Sequence, residues 1–228
     1  MKFTYSIPTK ILFGPGSFND LATTPLPGKK ALIVITAGKS MRANGYLDRL
    51  IAMLDKQGIG HALFDKILPN PVLRHVHEGA ALAREQGCDF VIGLGGGSSI
   101  DSAKSIAVMA KNPGDYWDYI SGGSGKGQPL VNGALPIVAI ATTAGTGTEA
   151  DPWTVITKED TNEKIGFGCA ETFPVLSVVD PEMMLTIPAH LTAYQGFDAL
   201  FHNTEVMMSK GVNLLSETLA LSAIENIA

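Results

Sequence analysis

The stretch from Asp89 to Lys104, Asp-Phe-Val-Ile-Gly-Leu-Gly-Gly-Gly-Ser-Ser-Ile-Asp-Ser-Ala-Lys, restricts the fold more than any other part of the chain. It opens with an apolar run, Phe90 to Leu94, of the length of a buried parallel strand. Gly95, Gly96 and Gly97 follow, then Ser98, Ser99 and a segment with helical spacing at Ile100, Ala103, Ala107 and Ala110. Glycines let a backbone approach a bulky anion closely and take up positive φ. A helix that starts there offers unpaired N–H groups and the positive end of its dipole, which together suit a phosphate. Ser98 and Asp101 have capping-box spacing, which assigns Asp101 to the helix start. The other reading is a tight strand-to-helix connection that is merely rich in glycine. We expect the phosphate site, because three consecutive glycines cost chain entropy with no packing return.

The 228 residues suffice for one large domain or for one domain and part of another. A hydrophobic share of 45% and a charged share of 17% suit a globular core. The net charge of −5 argues against general binding to nucleic acid or anionic membranes, and leaves local capture of a phosphorylated cofactor open. Cys88 and Cys169 make neither a disulfide framework nor a Cys-x-x-Cys pair, which points to a reducing compartment. The N-terminus has no apolar leader segment, and no run has the length of a membrane span. A soluble, cytoplasmic protein is the expectation.

Lys10 to Phe13, Ala31 to Thr36, His61 to Ile67, Leu135 to Ala141 and Val175 to Val179 read as further strands. Between them, Tyr46 to Gln57 and the segment opened by Asn70-Pro71 carry apolar residues at helical spacing, with Gly58 and Gly87 as stops. This alternation specifies α/β architecture: a parallel-sheet, Rossmann-like domain over residues 1–187. A second glycine turn, Thr142-Thr-Ala-Gly-Thr-Gly-Thr-Glu149, follows the Leu135 strand, and Thr146 and Glu149 again have capping-box spacing. Thr154–Thr157 and Lys164–Phe167 flank a turn and read as a hairpin. Residues 188–228 carry only helical signals, with Pro188 at a helix start and a break at Gly211. They read as the start of an all-helical second domain whose apolar faces need the first domain or a partner chain. The chain stops at Ala228 without a capping residue or polar tail, which reads as an interrupted protein.

Asp198 and His202 stand four apart and share one helix face, as half of a divalent-metal site would. On spacing alone, a solvated Asp–His pair is the commoner reading, and two ligands are too few for a stable site. Glu205 is either nearby support or solvated. His75 and His77 read as solvated surface residues, as do His61 and His190. Gly122 to Gly127 lacks the Ser or Thr that a phosphate loop needs after its lysine, and reads as a mobile loop. Met183, Met184, Met207 and Met208 read as core filler.

The segments 95–104, 142–149 and Gly-Phe-Asp-Ala-Leu-Phe-His at 196–202, in that order, resemble the iron-containing (group III) alcohol dehydrogenase family. The resemblance implies a dinucleotide-binding domain, then a helical metal-binding domain that this chain only begins. It implies that Gly95, Gly96, Gly97 and Ser98 hold the pyrophosphate of NADP or NAD, with Asp101 and Lys104 near the cofactor. Thr142 and Thr143 would line it, Thr146 would belong to the same turn, and Lys164 would match the family's hairpin lysine. Asp198 and His202 would be two of four ligands to Fe2+ or Zn2+, and so catalytic. The other two ligands lie further along in the family. Gln195 and Asn203 depart from the small residues usual in the metal motif. Where NAD-preferring relatives carry an acidic residue after the second strand, this chain has Gly38, with Ser40 nearby, which favours NADP. The implied function is hydride transfer between a primary alcohol or diol and NAD(P), in a homodimer, with this chain inactive alone. The alternatives are a polyol or glycerol dehydrogenase, or a non-catalytic nucleotide-binding fragment.

Overall fold

The computed structural model describes residues 2–227; Met1 and Ala228, and with them the two chain ends, lie outside. Six parallel strands form the central sheet: β1 (Lys10–Phe13), β2 (Lys30–Thr36), β3 (Gly60–Ile67), β4 (Phe90–Gly95), β5 (Ile137–Ala141) and β8 (Leu176–Val179). Two more, β6 (Thr154–Lys158) and β7 (Glu163–Phe167), make a separate antiparallel ribbon. The helices are α1 (Ser40–Ala43), α2 (Tyr46–Lys56), α3 (Leu73–Glu85), α4 (Gly97–Lys111), α5 (Ala189–Met208) and α6 (Leu214–Ile227).

Strand β2 shows why the sheet is covered on both sides. Its apolar run is continuous, so alternate residues face opposite layers. Ala31, Ile33 and Ile35 pack with Leu47, Leu50 and Leu54 of α2. Leu32 and Val34 pack with Val76 and Ala80 of α3 and with Ala103 and Ile106 of α4. The sheet order is β1-β8-β5-β4-β2-β3. From β2 the chain steps outward through α2 to β3, then returns through α3 on the opposite face to β4, on the other side of β2. The direction of winding therefore reverses between β2 and β4. Crevices that take ligands open beyond the carboxyl ends of strands at such a reversal.

Two side-chain expectations change in the fold. His75 is 5% exposed, packed edge-on against Phe64 with ring centroids 6.3 Å apart, and is not a surface residue. Burial pushes its imidazole below the ordinary range, assisted by the neighbouring Arg74 charge. Met183 is buried as expected, but Met208 is 81% exposed and belongs to no core. The glycine-rich loop at 122–127 is held rather than free: Ser124 donates its N–H to Glu163 Oε1 at 2.6 Å, and Lys126 pairs with Asp118 at 2.7 Å.

Helices α5 and α6 form a hairpin. Asn213 begins α6 by accepting the N–H groups of Leu215 and Ser216 on its side-chain oxygen. Among the described residues no side chain of α5 is buried, and in α6 only Ala220 is. Phe197, Phe201 and Leu214 stay exposed, so the sheet and its helices do not cover this part of the hairpin's apolar surface. Between the two helices lies an apolar hollow of ≈ 310 Å³ lined by Ala193, Gly196, Phe197, Leu200 and Ile227, and no titratable group is among these described residues.

Candidate functional site

The crevice at the reversal point is a cleft of ≈ 490 Å³. Thr36 at the end of β2 lines it, with Pro69, with Gly96, Gly97 and Ser98 of the first glycine turn, and with Thr143, Ala144 and Thr146 of the second. Helix α5 closes it with Leu191, Tyr194, Gln195 and Asp198.

Helix α4 starts directly on the glycine turn, with Gly96 as its N-terminal flanking residue and no side chain capping it. The first-turn N–H groups of such a helix have no partner within it. Gly95 has φ of +144°, a value that L side chains rarely adopt. A Cβ on Gly96 would lie 2.7 Å from Thr143 Oγ1, and one on Gly97 would lie 2.9 Å from Thr146 Cγ2. The glycines therefore do have a packing return: they bring the second turn against the first. Thr142 secures that approach by donating its N–H to Gly95 O at 3.0 Å.

The capping boxes expected from spacing do not form. Ser98 lies inside α4 and caps nothing. Asp101 instead accepts the Thr148 hydroxyl on Oδ1 at 2.7 Å and the Val155 N–H on Oδ2 at 2.9 Å. Burial raises its carboxyl above the usual range, and these two hydrogen bonds oppose the rise. Both oxygens are turned to the protein, away from the cleft. Thr146 and Glu149 start no helix: residues 142–153 hold no strand or helix, and β6 follows them. At twelve residues of turn and bend this connection is longer than the usual length of about four to six inside a packed domain. Burial raises the Glu149 carboxyl too. Lys104 is fully buried beneath this loop, and burial lowers its ammonium from the ordinary lysine range against the pull of Asp151 and Asp101.

On α5, Asp198 Oδ1 and His202 Nε2 stand 3.6 Å apart, with side chains 47% and 56% exposed. A carboxylate oxygen and an imidazole nitrogen converging at that separation fit two positions around Fe2+ or Zn2+. Among the described residues no third His, Cys, Asp or Glu joins them, and Glu205 is exposed. Gly145 passes close to this pair: a Cβ there would lie 3.0 Å from Asp198 Oδ2.

Of the residues expected from the sequence, the cleft gathers Gly96, Gly97, Ser98, Thr143, Thr146 and Asp198. Gly38 and Ser40 lie exposed just beyond β2, outside the lining, and Thr142 is buried beneath it. Lys164 on the ribbon donates to Asn70 Oδ1 at 2.8 Å, and Asn70 adopts a left-handed φ of 57°. Thr36, Pro69, Tyr194 and Gln195 went unnoticed as lining residues. The carboxyl ends of β2 and β3 were the signal that could have found Thr36 and Pro69.

Comparison with known proteins places these features in context. The family model described as iron-containing alcohol dehydrogenase matches residues 8–181. The chain is 38% identical over 227 residues to a choline dehydrogenase of Bacillus subtilis, covering 99% of this chain and 56% of that protein. It is 36% identical over 228 residues to a 1,3-propanediol dehydrogenase of Klebsiella pneumoniae, covering 99% of this chain and 58% of that one. Among solved structures, NADH-dependent butanol dehydrogenase A of Thermotoga maritima superposes with a TM-score of 0.90 at 34% identity, over 99% of this chain and 56% of that chain. The chain thus spans somewhat more than half the length of the relatives it matches.

Proposed function

The chain belongs to the iron-containing alcohol dehydrogenase family, and from that premise we propose that it carries the nucleotide site and part of the metal site of an NAD(P)-dependent alcohol dehydrogenase. The reaction class is interconversion of a primary alcohol or diol with its aldehyde. One observation carries the reading: Asp198 of α5 and the glycine turn of α4 line the same cleft.

In this reading residues 1–187 form the nucleotide-binding domain and residues 188–228 begin the metal-binding one. When bound, Fe2+ or Zn2+ supplies positive charge that lowers the pKa of an alcohol, and the nicotinamide supplies the hydride acceptor. The chain's own part is placement. Gly97 and Ser98 offer first-turn N–H groups to a diphosphate. Gly95 and Gly96 allow the close approach, Thr143 and Thr146 set the opposite wall, and Thr142 anchors that wall from beneath through Gly95. Lys164, steered by Asn70, reaches from the ribbon. Asp198 and His202 hold the cation side. Asp101, whose oxygens are engaged elsewhere, acts only through the loop that it fixes.

Gly38 and Ser40 leave room and no repulsion for a 2′-phosphate, which supports NADP, while the Thermotoga relative is named for NADH. Either nicotinamide dinucleotide suits the reading. A homodimer fits the exposed Phe13 on edge strand β1. Two free cysteines fit a cytoplasmic location, and among the described residues no helix is long and apolar enough to cross a membrane.

A second reading, a nucleotide-binding module without turnover, is supported by Asp198 and His202 having no third donor beside them among the described residues. One experiment tests both. The chain and its Asp198→Ala variant are titrated with NADH and NADPH, and metal content is measured after loading with Fe2+ or Zn2+. Saturable nucleotide binding in both proteins, with Fe2+ or Zn2+ bound weakly by the parent and not at all by the variant, is the expected result. Nucleotide binding with no metal in either favours the module, and no saturable nucleotide binding ends both readings.

A further inference from the structure

Lys104 sits two turns into α4 and has no exposed surface. Its Nζ lies 2.7 Å from Thr148 Oγ1, 2.9 Å from Asp151 O, 3.2 Å from Asp151 Oδ1 and 2.7 Å from Trp153 O. An ammonium has three protons to give and accepts nothing. The Thr148 hydroxyl therefore receives from Lys104 and passes its own hydrogen to Asp101 Oδ1, 2.7 Å away. Asp101 Oδ2 then takes the Val155 N–H. Residues Asp101 and Lys104, one helical turn apart, grip the downstream part of the 142–153 loop. The upstream part of the same loop presses Thr143 and Thr146 against Gly96 and Gly97 and lines the cleft. Every proton of the ammonium is directed into the loop, so none is left for a diphosphate.

We propose that Lys104 is a positioning residue, not a cofactor contact: it fixes the 142–153 loop so that the cleft wall stands in place before a dinucleotide arrives. This rests on the nucleotide reading of the cleft given above.

The test compares the chain with Lys104→Met, Thr148→Val and the double variant. Amide hydrogen exchange is followed in the free proteins, and NADH binding is followed by nucleotide fluorescence. The expected result is exchange at 142–153 faster by about tenfold in each single variant, with β2, β4 and β5 unchanged. NADH Kd rises by about tenfold, which is the effect of losing ~1.4 kcal/mol. The double variant is no weaker than Lys104→Met, because both changes break one path. At saturation, NADH bound to the variants emits nearer to its wavelength in water than NADH bound to the parent chain.

Weaker NADH binding with unchanged exchange would mean a direct contact and would overturn the proposal. So would faster exchange with affinity and emission unchanged, which is a purely structural role. If Lys104→Met does not fold, Thr148→Val, which keeps the lysine, supplies both readouts. Failure of the nucleotide reading is separately visible, because the parent chain itself would then not bind NADH.

Discussion

Ala144 donates its backbone N–H to the side-chain oxygen of Gln195 at 2.7 Å. This bond ties the second glycine turn to the helix that carries Asp198. The next residue, Gly145, has φ of +102° and runs so close to α5 that a Cβ would lie 2.9 Å from Gln195 O. The second glycine turn and α5 are thus joined at adjacent residues.

Removing the acceptor tests that joint. Gln195→Ala leaves the Ala144 N–H to water, and its exchange rate should rise about fivefold for a bond of typical net worth, ~1 kcal/mol. Gln195→Glu, which keeps an oxygen at the same reach, should stay near the parent rate. Equal exchange in all three proteins would show that Gln195 does not hold the turn.

Gly96 and Thr143 should prove energetically coupled. A Cβ on Gly96 meets Thr143 Oγ1 at 2.7 Å and Cγ2 at 3.1 Å. Gly96→Ala should therefore cost about 1–3 kcal/mol in urea unfolding, the usual range for overpacking. Thr143→Ala removes both obstructing atoms, so the double variant should recover most of that loss. Simple additivity of the two changes would show that the turns do not press on one another.

Hydrophobic patterning made the α/β framework legible, because β2, β4 and β5 are buried on both faces and leave unbroken apolar runs. The glycine turn was legible in position but not in purpose. Nothing in Gly95-Gly96-Gly97 itself reveals that Thr143 and Thr146, nearly fifty residues away, will occupy the space that side chains would need. Capping-box spacing misled for a related reason. Asp101 had a local candidate in its helix start, yet Thr148 and Val155 offered it donors across the fold. His75 was misjudged because spacing to His77 says which faces the two take, not which face meets Phe64. Four-residue spacing put Asp198 and His202 on one helix face without making them a metal pair, and Gln195, marked only as a departure from the usual motif, gave no sign that Ala144 would donate to it.

Stability should carry the imprint of His75 at mildly acidic pH. Its Nδ1 is buried without a hydrogen-bond partner, and burial with Arg74 and Lys66 lowers its pKa, against the opposing charges of Glu78 and Glu159. The unfolded chain then binds the proton more readily, around the ordinary value of 6.5. This group's contribution is complete above that pH and is lost as pH falls through it toward the depressed folded value. Urea midpoints should drop between about pH 7 and pH 5, and His75→Leu should drop less. Parallel curves would place the acid loss in other groups.

Cofactor choice should turn on Gly38. It lies exposed just past β2, its φ is not in the left-handed region, and a Cβ would have only Thr36 Oγ1 nearby, at 3.6 Å. Gly38→Asp is therefore sterically tolerable. Gly38 stands outside the lining, two residues beyond Thr36 at the cleft's edge, and in the proposed nucleotide reading a carboxylate there is expected to meet the adenosine ribose. It would repel a 2′-phosphate and accept from the two free hydroxyls of NADH. Two like charges about 4 Å apart at a protein surface repel by roughly 4 kcal/mol before salt screening, so a tenfold swing is a modest demand. The NADPH-to-NADH ratio of Kd values, measured by fluorescence titration, should rise at least tenfold in Gly38→Asp. An unchanged ratio would place the ribose elsewhere, and equal weakening of both nucleotides would mean that the turn after β2 had been distorted.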